Sequence, residues 1–234
     1  MVQTLIMRLQ ADLFSTPGTA PVWSTSFTTG PDAVCLDTLI GLHAVAAPVI
    51  LDATFGHGAM WVGSAYAPDL TMDIRDLPRV TNWDDFTVMR TVEDESIDVI
   101  VFDPPHLPNA AASARSSGIW RDRYGITDGD PRRAGDSIAP LFLPFLLQAH
   151  RVLRPAGIVL AKIADIIHNH QYQWQMCAFV EKAREALFHP CDLMVRVDPR
   201  GANLKSSKWK RQEHLRHAHV YWIVARKDTY RRAA

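Results

Sequence analysis

The sequence predicts a single α/β domain with a mainly parallel sheet. Short apolar runs such as Val99–Phe102 are typical of strands buried on both faces, and they alternate along the chain with segments of helical character. This alternation indicates βαβ units with right-handed crossovers. The 234 residues, 47% of them apolar, can build one sizeable core, and no repeat or second domain is evident, so we predict one domain over 1–234.

Strand and helix patterns follow one another from residue 31 to residue 227, after an irregular stretch over 1–30. The first helix is expected to begin near Pro31, because proline suits the first turn of a helix. Continuous apolar runs indicate buried strands, and apolar residues at helical spacing indicate helices. The predicted helices are 31–46, 137–153 and 170–188; the predicted strands are 48–55, 69–74, 97–105, 156–165, 191–198 and 217–227, with a tight turn into a short helix at 56–67 and a weak strand or loop at 80–90.

Two long polar segments separate these elements. Residues 107–135 are predicted to form a loop that acts as a lid or binds substrate, although loops of this length are also found disordered. Residues 198–216 are predicted to form a basic loop. Between Val195 and Arg232, eleven Lys or Arg stand against three Asp or Glu, while the whole chain has a formal net charge of zero. This asymmetry favours a polyanionic partner, and a merely solvated basic loop is the alternative.

Targeting signals and cysteine chemistry give little further direction. No apolar run reaches the roughly 18 residues that a transmembrane helix needs, and the N-terminal stretch does not resemble a secretory signal. A cytoplasmic protein without a membrane partner is therefore expected. Cys35, Cys177 and Cys191 are widely spaced and match neither a disulfide framework nor a zinc site. They are expected to be reduced and mostly buried thiols.

The first buried strand ends in a carboxylate followed by glycines. Asp52 is followed by Gly56 and Gly58 in a D-x-x-x-G-x-G pattern, and glycines let the backbone turn sharply and a ligand approach closely. A dinucleotide fingerprint would have a third glycine at position 61, where this chain has Trp61. A nicotinamide or flavin cofactor is therefore disfavoured. The alternative is an ordinary turn between a strand and a helix.

Carboxylates also end the next two strong strands. Asp73 is placed to accept both hydroxyls of a ribose, and a surface or capping aspartate is the alternative. Asp103 is followed by Pro104 and Pro105, which have no backbone N–H and make further sheet pairing difficult. Because ligands of open α/β sheets bind beyond the carboxyl ends of the strands, we expect Asp52, Asp73 and Asp103 on one rim.

These motifs resemble those of S-adenosylmethionine-dependent amino-methyltransferases of the DPPY type. The matching stretches are "LDATFGHG", "MDI" and "VFDPPH", and the resemblance covers roughly residues 22–227. Members with this motif order methylate exocyclic amines, mostly N6 of adenine and sometimes N4 of cytosine. The resemblance implies a Rossmann-like methyltransferase fold, with a mainly parallel seven-stranded sheet, helices on both faces and an antiparallel C-terminal strand. It also implies S-adenosyl-L-methionine as the cofactor.

The resemblance assigns the catalytic role to Asp103, Pro104, Pro105 and His106. Asp103 and the carbonyl of Pro104 would each accept a hydrogen bond from one N–H of the target amine. These two hydrogen bonds favour a pyramidal nitrogen with its lone pair towards the sulfonium methyl. His106 would stack on a base removed from its helix, in a position where Tyr, Phe or Trp is commoner. A plain strand-to-loop terminator is the alternative for this motif.

The same resemblance implies the cofactor contacts. The "TSFTTG" segment resembles the part that contacts the methionine end, and "NWDDF" lies where the cofactor adenine would be bound. Asp84 competes with Asp85 for the adenine amino group, and both could instead be solvated loop acids. The implied cofactor-binding residues are Thr28, Thr29, Asp52, Ala53, Thr54, Gly56, Gly58, Asp73, Ile74, Asp85, Phe86 and Asp103.

Nucleic acid is the expected partner because of the basic segment, and the resemblance favours DNA over RNA. No separate recognition domain is evident, so specificity is expected to be loose, to be limited to a short site, or to come from a second subunit, either in a homodimer or as an accessory specificity subunit. A metal site at His214, His217 and His219 lacks a known ligand spacing, and no metal is predicted. An RNA N6-adenine methyltransferase and a non-catalytic regulator that binds S-adenosylmethionine remain the alternatives. The predicted substrate-binding residues are Arg121, Arg123, Tyr124, Lys208, Lys210 and Arg211.

Overall fold

The computed structural model describes residues 24–105, 138–168, 170–200, 214–215 and 217–228. Within these ranges three α-helices alternate with ten strands. The helices are α1 (Asp32–His43), α2 (Phe142–Val152) and α3 (Gln175–Glu185); the strands are β1 (Phe27–Thr28), β2 (Ile50–Asp52), β3 (Leu70–Asp73), β4 (Asn82–Trp83), β5 (Ile97–Phe102), β6 (Leu153–Ile163), β7 (Ile166–His168), β8 (Gln171–Gln173), β9 (Phe188–Val197) and β10 (His219–Lys227).

Eight of these strands form one sheet, in the order β1-β9-β10-β6-β5-β2-β3-β4. Every neighbouring pair is parallel except the two pairs that involve β10, which runs antiparallel between β6 and β9. The predicted Rossmann-like fold and its antiparallel C-terminal strand are confirmed. The sheet has one strand more than the predicted seven, because the short β1 pairs with the outer edge of β9.

The chain changes its winding direction between β2 and β5. It first runs outwards from β2 to β3 and β4, and then returns to place β5 on the other side of β2. The carboxyl ends of β2 and β5 therefore lie side by side at a topological switch point, which is where open α/β sheets bind their ligands. Asp52 and Asp103 stand at these two ends.

Helices cover both faces of the sheet. Alternate residues of β5 enter opposite cores: Val99 and Val101 pack on the side of α1, whereas Ile100 and Phe102 pack with α2 and α3. Burial on both faces explains why this strand is a continuous apolar run rather than an alternating one. The same alternation places Lys162, which lies between Ala161 and Ile163 on β6, on the α1 side.

Several element boundaries differ from those predicted. The predicted helix over 170–188 begins only at Gln175, because residues Gln171–Gln173 pair with Ile166–His168 in a separate hairpin. The weak strand over 80–90 is reduced to Asn82–Trp83, and the short helix after β2 is a single 3-10 turn, Ala59–Trp61. The predicted loop 107–135 lies outside the described residues, as do most residues of the predicted basic loop 198–216.

The helix α2 forms despite two prolines. Pro140 lies in the 3-10 turn that leads into the helix, and Pro144 is the third residue of the helix itself. A first-turn residue has no intrahelical acceptor for its N–H, so a proline there costs little. Phe142, Phe145 and Leu146 on this helix are fully buried against the sheet. The helix therefore forms because its apolar residues are buried at helical spacing and its prolines lie where they cost little.

The cysteines only partly match their predicted environment. All three are free thiols, and Cys35 is buried against the sheet, but Cys177 and Cys191 are exposed. The prediction of mostly buried thiols is wrong because these two lie on the outer face of α3 and on the outer strand β9. In the part of the chain that the structure describes, no helix is long and apolar enough to cross a membrane.

Candidate active site

Asp52 stabilises the loop after β2 through hydrogen bonds to its buried side chain. Its side chain is fully buried; the backbone N–H of Thr54 donates to one carboxylate oxygen at 2.9 Å, and the indole N–H of Trp61 donates to the other at 2.7 Å. Burial raises the pKa of Asp52 to about 7, the charges of Asp103 and Asp73 add to the increase, and the two hydrogen bonds oppose it. Trp61 at the place of a third glycine thus closes the loop on Asp52.

Glycines are required at both positions where the sequence predicts them. Gly56 and Gly58 have φ angles of +55° and +70°, which side-chain-bearing residues rarely adopt. A Cβ atom on Gly58 would also lie 2.6 Å from the ring of Phe55. The N–H of Gly56 donates to Asp73 at 3.1 Å. The left-handed turn therefore brings this loop against the end of β3.

Thr54 connects the same loop to the end of β5. Its Oγ1 atom accepts a hydrogen bond from the backbone N–H of Asp103 at 2.7 Å. The preceding residue, Ala53, is buried and donates its N–H to the carbonyl of Val101 at 2.9 Å. These contacts fix the backbone of Asp103 relative to the glycine loop. Pro104 is buried and Pro105 half-buried directly beyond it.

Asp73 lies beside the loop, as predicted, but its carboxylate is already engaged. The backbone N–H and Nε of Arg75 donate to one oxygen at 2.9 Å each, and the Nη2 atom of Arg75 donates to the other at 2.8 Å. Both side chains are largely buried. A ribose that uses Asp73 must therefore share it with Arg75 or displace the guanidinium. The sequence analysis missed this pair, although "MDIR" contains the arginine two residues on.

The segment after β4 joins the rim next to Asp73. The N–H of Asp84 donates to the carbonyl of Asp73 at 3.2 Å. Asp84 is buried, and its oxygens accept the backbone N–H groups of Asp85 at 2.8 Å and Thr91 at 3.1 Å. It therefore holds its own loop together, which leaves Asp85, half-buried and bonded to Thr87, as the better candidate for contact with a ligand.

Two aromatic residues of this segment have different surroundings. Phe86 is buried and packs edge-to-face on Phe102, with 5.2 Å between ring centroids. Trp83 is 71% exposed, and its indole N–H donates to the carbonyl of Ile74, next to Asp73. A flat exposed ring thus lies at the edge of the rim. The sequence analysis did not single out Trp83, although the "NWDDF" stretch contains it.

Asp103 takes part in a group of charged residues that we call the Lys162 cluster: Asp32, Asp103, Lys162 and Arg196. The Nζ atom of Lys162 lies 3.0 Å from Oδ2 of Asp103 and 3.0 Å from Oδ2 of Asp32. The Nε atom of Arg196 lies 3.4 Å from Oδ1 of Asp32. Burial alone lowers the pKa of Lys162, but the carboxylates of Asp103 and Asp32 outweigh it, so the pKa lies above its usual value.

The Lys162 cluster continues into the segment predicted to contact the methionine end of a cofactor. Arg196 donates to the carbonyl of Gly30 at 2.9 Å, and the N–H of Gly30 donates to the hydroxyl of Thr28 at 3.0 Å. Thr28 is half-buried and Thr29 is exposed. The sequence analysis missed Asp32, Lys162 and Arg196. The available signal for Lys162 was a lysine within an otherwise apolar strand.

Each of the three tail histidines contacts another group, and the ring centroids of His217 and His219 are 5.7 Å apart. A ring nitrogen of His217 lies 2.8 Å from the carbonyl of Asp165, and one of His219 lies 3.0 Å from the hydroxyl of Tyr221. His214 contacts the carbonyl of His170 at 3.0 Å. Among the described residues, no group of three His, Cys, Asp or Glu could hold a metal ion.

Part of the basic excess near the C-terminus serves the fold. Arg226 donates to the carbonyls of Ala156 and His43, and Lys227 donates to that of Leu153 at 2.7 Å. These cations are therefore occupied by main-chain acceptors. His106 and all six predicted substrate-binding residues lie outside the described residues.

A separate pocket lies away from this rim. It has a volume of about 410 Å³ and is lined by Asp94, Glu95, His150, Arg151 and Lys227. Glu95 precedes β5 and Arg151 precedes β6, so the pocket is at the amino ends of the parallel strands. Ligands of this fold class bind at the opposite edge.

Comparisons with known proteins concern the fold. No protein-family model and no curated protein sequence matches the chain. The 1,6-didemethyltoxoflavin-N1-methyltransferase of Burkholderia thailandensis aligns at 15% identity over 84% of this chain and 76% of its own length, with a TM-score of 0.48. A SAM-dependent methyltransferase from Methanosarcina mazei aligns at 12% identity over 81% of this chain and 96% of its own length, with a TM-score of 0.45.

A third structure is that of a Thermus thermophilus protein whose assignment as a DNA modification methylase is provisional. It aligns at 12% identity over 64% of this chain, with a TM-score of 0.39. The aligned part covers 53% of the Thermus chain, about half of its length. Similarity at this level does not extend to function, for which the site itself is the evidence.

Proposed function

We propose that this protein transfers a methyl group from S-adenosyl-L-methionine to an exocyclic amine of a base in DNA, with N6 of adenine as the target. The observation that carries the proposal is the placement of Asp103 at the switch point. Thr54 holds its backbone, the glycine loop lies beside it, and the rigid Pro104 follows it. Asp103 is thus a carboxylate set next to the place where the fold class binds a nucleoside.

The residue types at the rim support the choice of S-adenosyl-L-methionine as the cofactor. Gly56 and Gly58 have positive φ angles in the loop after β2, and glycines there allow a ligand to approach the backbone closely. Asp73 would hold the ribose hydroxyls, and Asp85 and Ile74 would contact the adenine. Thr28 and Thr29 would contact the methionine end. When bound, S-adenosyl-L-methionine supplies an electrophilic methyl group on a sulfonium.

The catalytic task is to make a weakly nucleophilic amine react. The lone pair of an aromatic exocyclic amine is delocalised into its ring. Asp103 and the carbonyl of Pro104 would each accept a hydrogen bond from one N–H of the amine, and this geometry favours a pyramidal nitrogen with a localised lone pair. A carboxylate and a proline-fixed carbonyl provide this by preorganisation. As the nitrogen gains positive charge, Asp103 stabilises it and accepts the departing proton.

The choice of a nucleic acid is based on charge, and the choice of DNA over RNA is based on the motif order, which resembles that of amino-methyltransferases acting on DNA bases. Between Val195 and Arg232 the chain has eleven basic residues against three acids, which suits a phosphate backbone. Several of those cations hold the fold instead, so the remaining contacts would come from Lys208, Lys210 and Arg211. Arg121, Arg123 and Tyr124 would contact the target strand, and His106 would stack on the extruded base.

A methyl-transfer assay tests the proposal. The protein would be incubated with S-adenosylmethionine labelled in its methyl group and with duplex DNA, single-stranded DNA or total RNA. We expect label in DNA, and none with the Asp103→Ala variant. Label confined to RNA would replace DNA with RNA as the substrate. If wild-type protein binds the cofactor but labels none of the three nucleic acids, methyl transfer to nucleic acid is contradicted. The protein would then be a non-catalytic protein that binds S-adenosylmethionine.

A further inference from the structure

Lys162 is a largely buried cation placed between two carboxylates from different parts of the fold. It lies on the central strand β6, and its side chain is 15% exposed. Its Nζ atom is 3.0 Å from Asp103, beyond β5, and 3.0 Å from Asp32, the first residue of α1. In sequence, Asp103 and Asp32 are 59 and 130 residues away from Lys162. Folding alone therefore brings the three groups together.

A buried ion pair of this kind contributes little to the stability of the fold. Removing charged groups from water is costly, and apolar residues of similar volume often stabilise a core as well or better. Asp32 also has an independent reason for its position, since acids are favoured in the first turn of a helix. Lys162 is therefore best explained by what it does to Asp103, the residue at the switch point.

We propose that Lys162 is a positioning residue for Asp103, given the methyl transfer proposed above. Its ammonium group fixes one oxygen of the Asp103 carboxylate at 3.0 Å and so sets the position and plane of the group. Through Asp32 and Arg196 the same contact reaches Gly30 and the segment proposed to bind the methionine end of the cofactor. The carboxylate of Asp103 and the segment proposed to bind the cofactor are thereby fixed relative to each other.

Lys162 also opposes the accumulation of negative charge at this edge. Among the described residues, the charged and titratable groups that face it or Asp103 include Asp32 and Cys35 on α1, Arg196 on β9 and Asp52 on β2. Burial, with help from Asp32, raises the pKa of Cys35 to about 12, so the thiol stays neutral. Without Lys162, Asp103 would remain near two other acids, and like charges favour the protonated form of a carboxyl.

The test compares four variants. Lys162→Met removes the cation and Lys162→Arg keeps it. The double variant Asp32→Asn/Lys162→Met removes the cation together with one carboxylate, which limits the repulsion between Asp32 and Asp103. It replaces Lys162→Met if that single variant does not fold. Lys182→Met is the matched control, because Lys182 pairs with the exposed Glu185 on α3, away from Asp103. Thermal unfolding and S-adenosylhomocysteine binding are measured for each variant.

The decisive readout is the pH titration of the Asp103 carboxyl group by carbon-13 NMR, with its signal identified by its loss in Asp103→Asn. An Asp52→Asn background removes the buried carboxyl of Asp52, whose pKa of about 7 would add its own titration to the spectra. We expect the Asp103 midpoint to rise by roughly 1 pH unit or more in Lys162→Met, to stay near wild type in Lys162→Arg, and to be unchanged in Lys182→Met.

Methyl transfer under saturating cofactor is the second readout. We expect Lys162→Met and the double variant to lose about 10-fold or more in turnover, and Lys162→Arg to recover most of it. S-adenosylhomocysteine affinity should change less in Lys162→Met, which keeps the Asp32–Arg196 pair beside Gly30, than in the double variant. Equal Asp103 midpoints in wild type and Lys162→Met, or full turnover in the double variant, would overturn the inference. If wild type methylates no nucleic acid, the proposed function fails, and the NMR titration still decides the role of Lys162.

Discussion

The Oγ1 atom of Thr54 accepts a hydrogen bond of 2.7 Å from the backbone N–H of Asp103. This bond crosses the switch point, because Thr54 follows β2 and Asp103 follows β5. It connects the loop proposed to hold the cofactor with the residue proposed to hold the target amine. Two partners of one reaction are thereby positioned by a single side chain, which makes Thr54 a direct point of test.

Thr54→Val should lower methyl transfer while leaving the fold intact. Valine has the shape of threonine but cannot accept the N–H of Asp103, and an unpaired backbone donor costs about 1–3 kcal/mol. We expect turnover to fall about 10-fold or more, because small displacements of a reacting group are costly. Thr91→Val, at an exposed loop position, is the control. Unchanged turnover in Thr54→Val would show that this bond does not position Asp103.

Asp103→Ala should abolish turnover and retain cofactor binding. Alanine removes the acceptor, and the loss of one preorganised group of this kind lowers rates about 100-fold or more. Asp103→Asn should be intermediate, since the amide oxygen can still accept a hydrogen bond but lacks the charge that Lys162 binds. Single-turnover kinetics and calorimetry with S-adenosylhomocysteine would measure the two effects separately. Wild-type turnover in Asp103→Ala would remove the amine-activation mechanism.

Asp73 and Arg75 should have opposite effects on the cofactor. Asp73→Ala removes the proposed acceptor of the ribose hydroxyls, a charge-assisted contact worth about 1.5–3 kcal/mol. Arg75→Ala removes the guanidinium that occupies the same carboxylate. We expect weaker S-adenosylmethionine binding in the first variant, and equal or tighter binding in the second. Calorimetry that finds the same weakening in both would mean that Asp73 acts only through Arg75 on the fold.

Asp52 should make the stability of the protein fall as the pH rises. Its pKa is about 7 in the folded protein, against 3.8 for an ordinary aspartate, so the folded state holds a proton that the unfolded state releases. Its contribution to the free energy of unfolding is therefore full below about pH 4 and decreases through pH 7, by up to roughly 4 kcal/mol.

Urea unfolding of Asp52→Asn tests this sign. The neutral amide cannot titrate, so wild type should become less stable relative to Asp52→Asn at each step from pH 4 to pH 8. Asp94→Asn, which removes an exposed carboxylate, should follow the wild-type curve. A constant difference between wild type and Asp52→Asn over this range would show that Asp52 is already ionised in the folded protein at pH 4.

The strand ends that form the rim could be predicted from sequence for a physical reason. A strand such as β5 is buried on both faces, so its residues are continuously apolar, and Asp103 marks where that run stops. The same reasoning located Asp52 and Asp73. The glycines were evident because a sharp turn after a strand favours glycine, and a Cβ on Gly58 would lie 2.6 Å from the ring of Phe55.

The Lys162 cluster could not be predicted in the same way. Its contacts join residues as far as 130 positions apart, and no local pattern encodes the pairing of Lys162 with Asp32. The hairpin β7–β8 was also missed, because "HQYQW" precedes an amphipathic run and extends its apparent helical pattern. Arg75 was missed for a third reason: a surface arginine and one that pairs with a buried carboxylate look alike in sequence.

Nucleoside mass spectrometry of treated DNA shows whether Asp103 activates an amine of a DNA base. Unmethylated DNA would be treated with S-adenosylmethionine and either wild type or Asp103→Ala, then digested to nucleosides. We predict N6-methyladenine with wild type and none with Asp103→Ala. Equal amounts of methylated nucleoside with both proteins, or none with a wild-type protein that binds the cofactor, would contradict this role of Asp103.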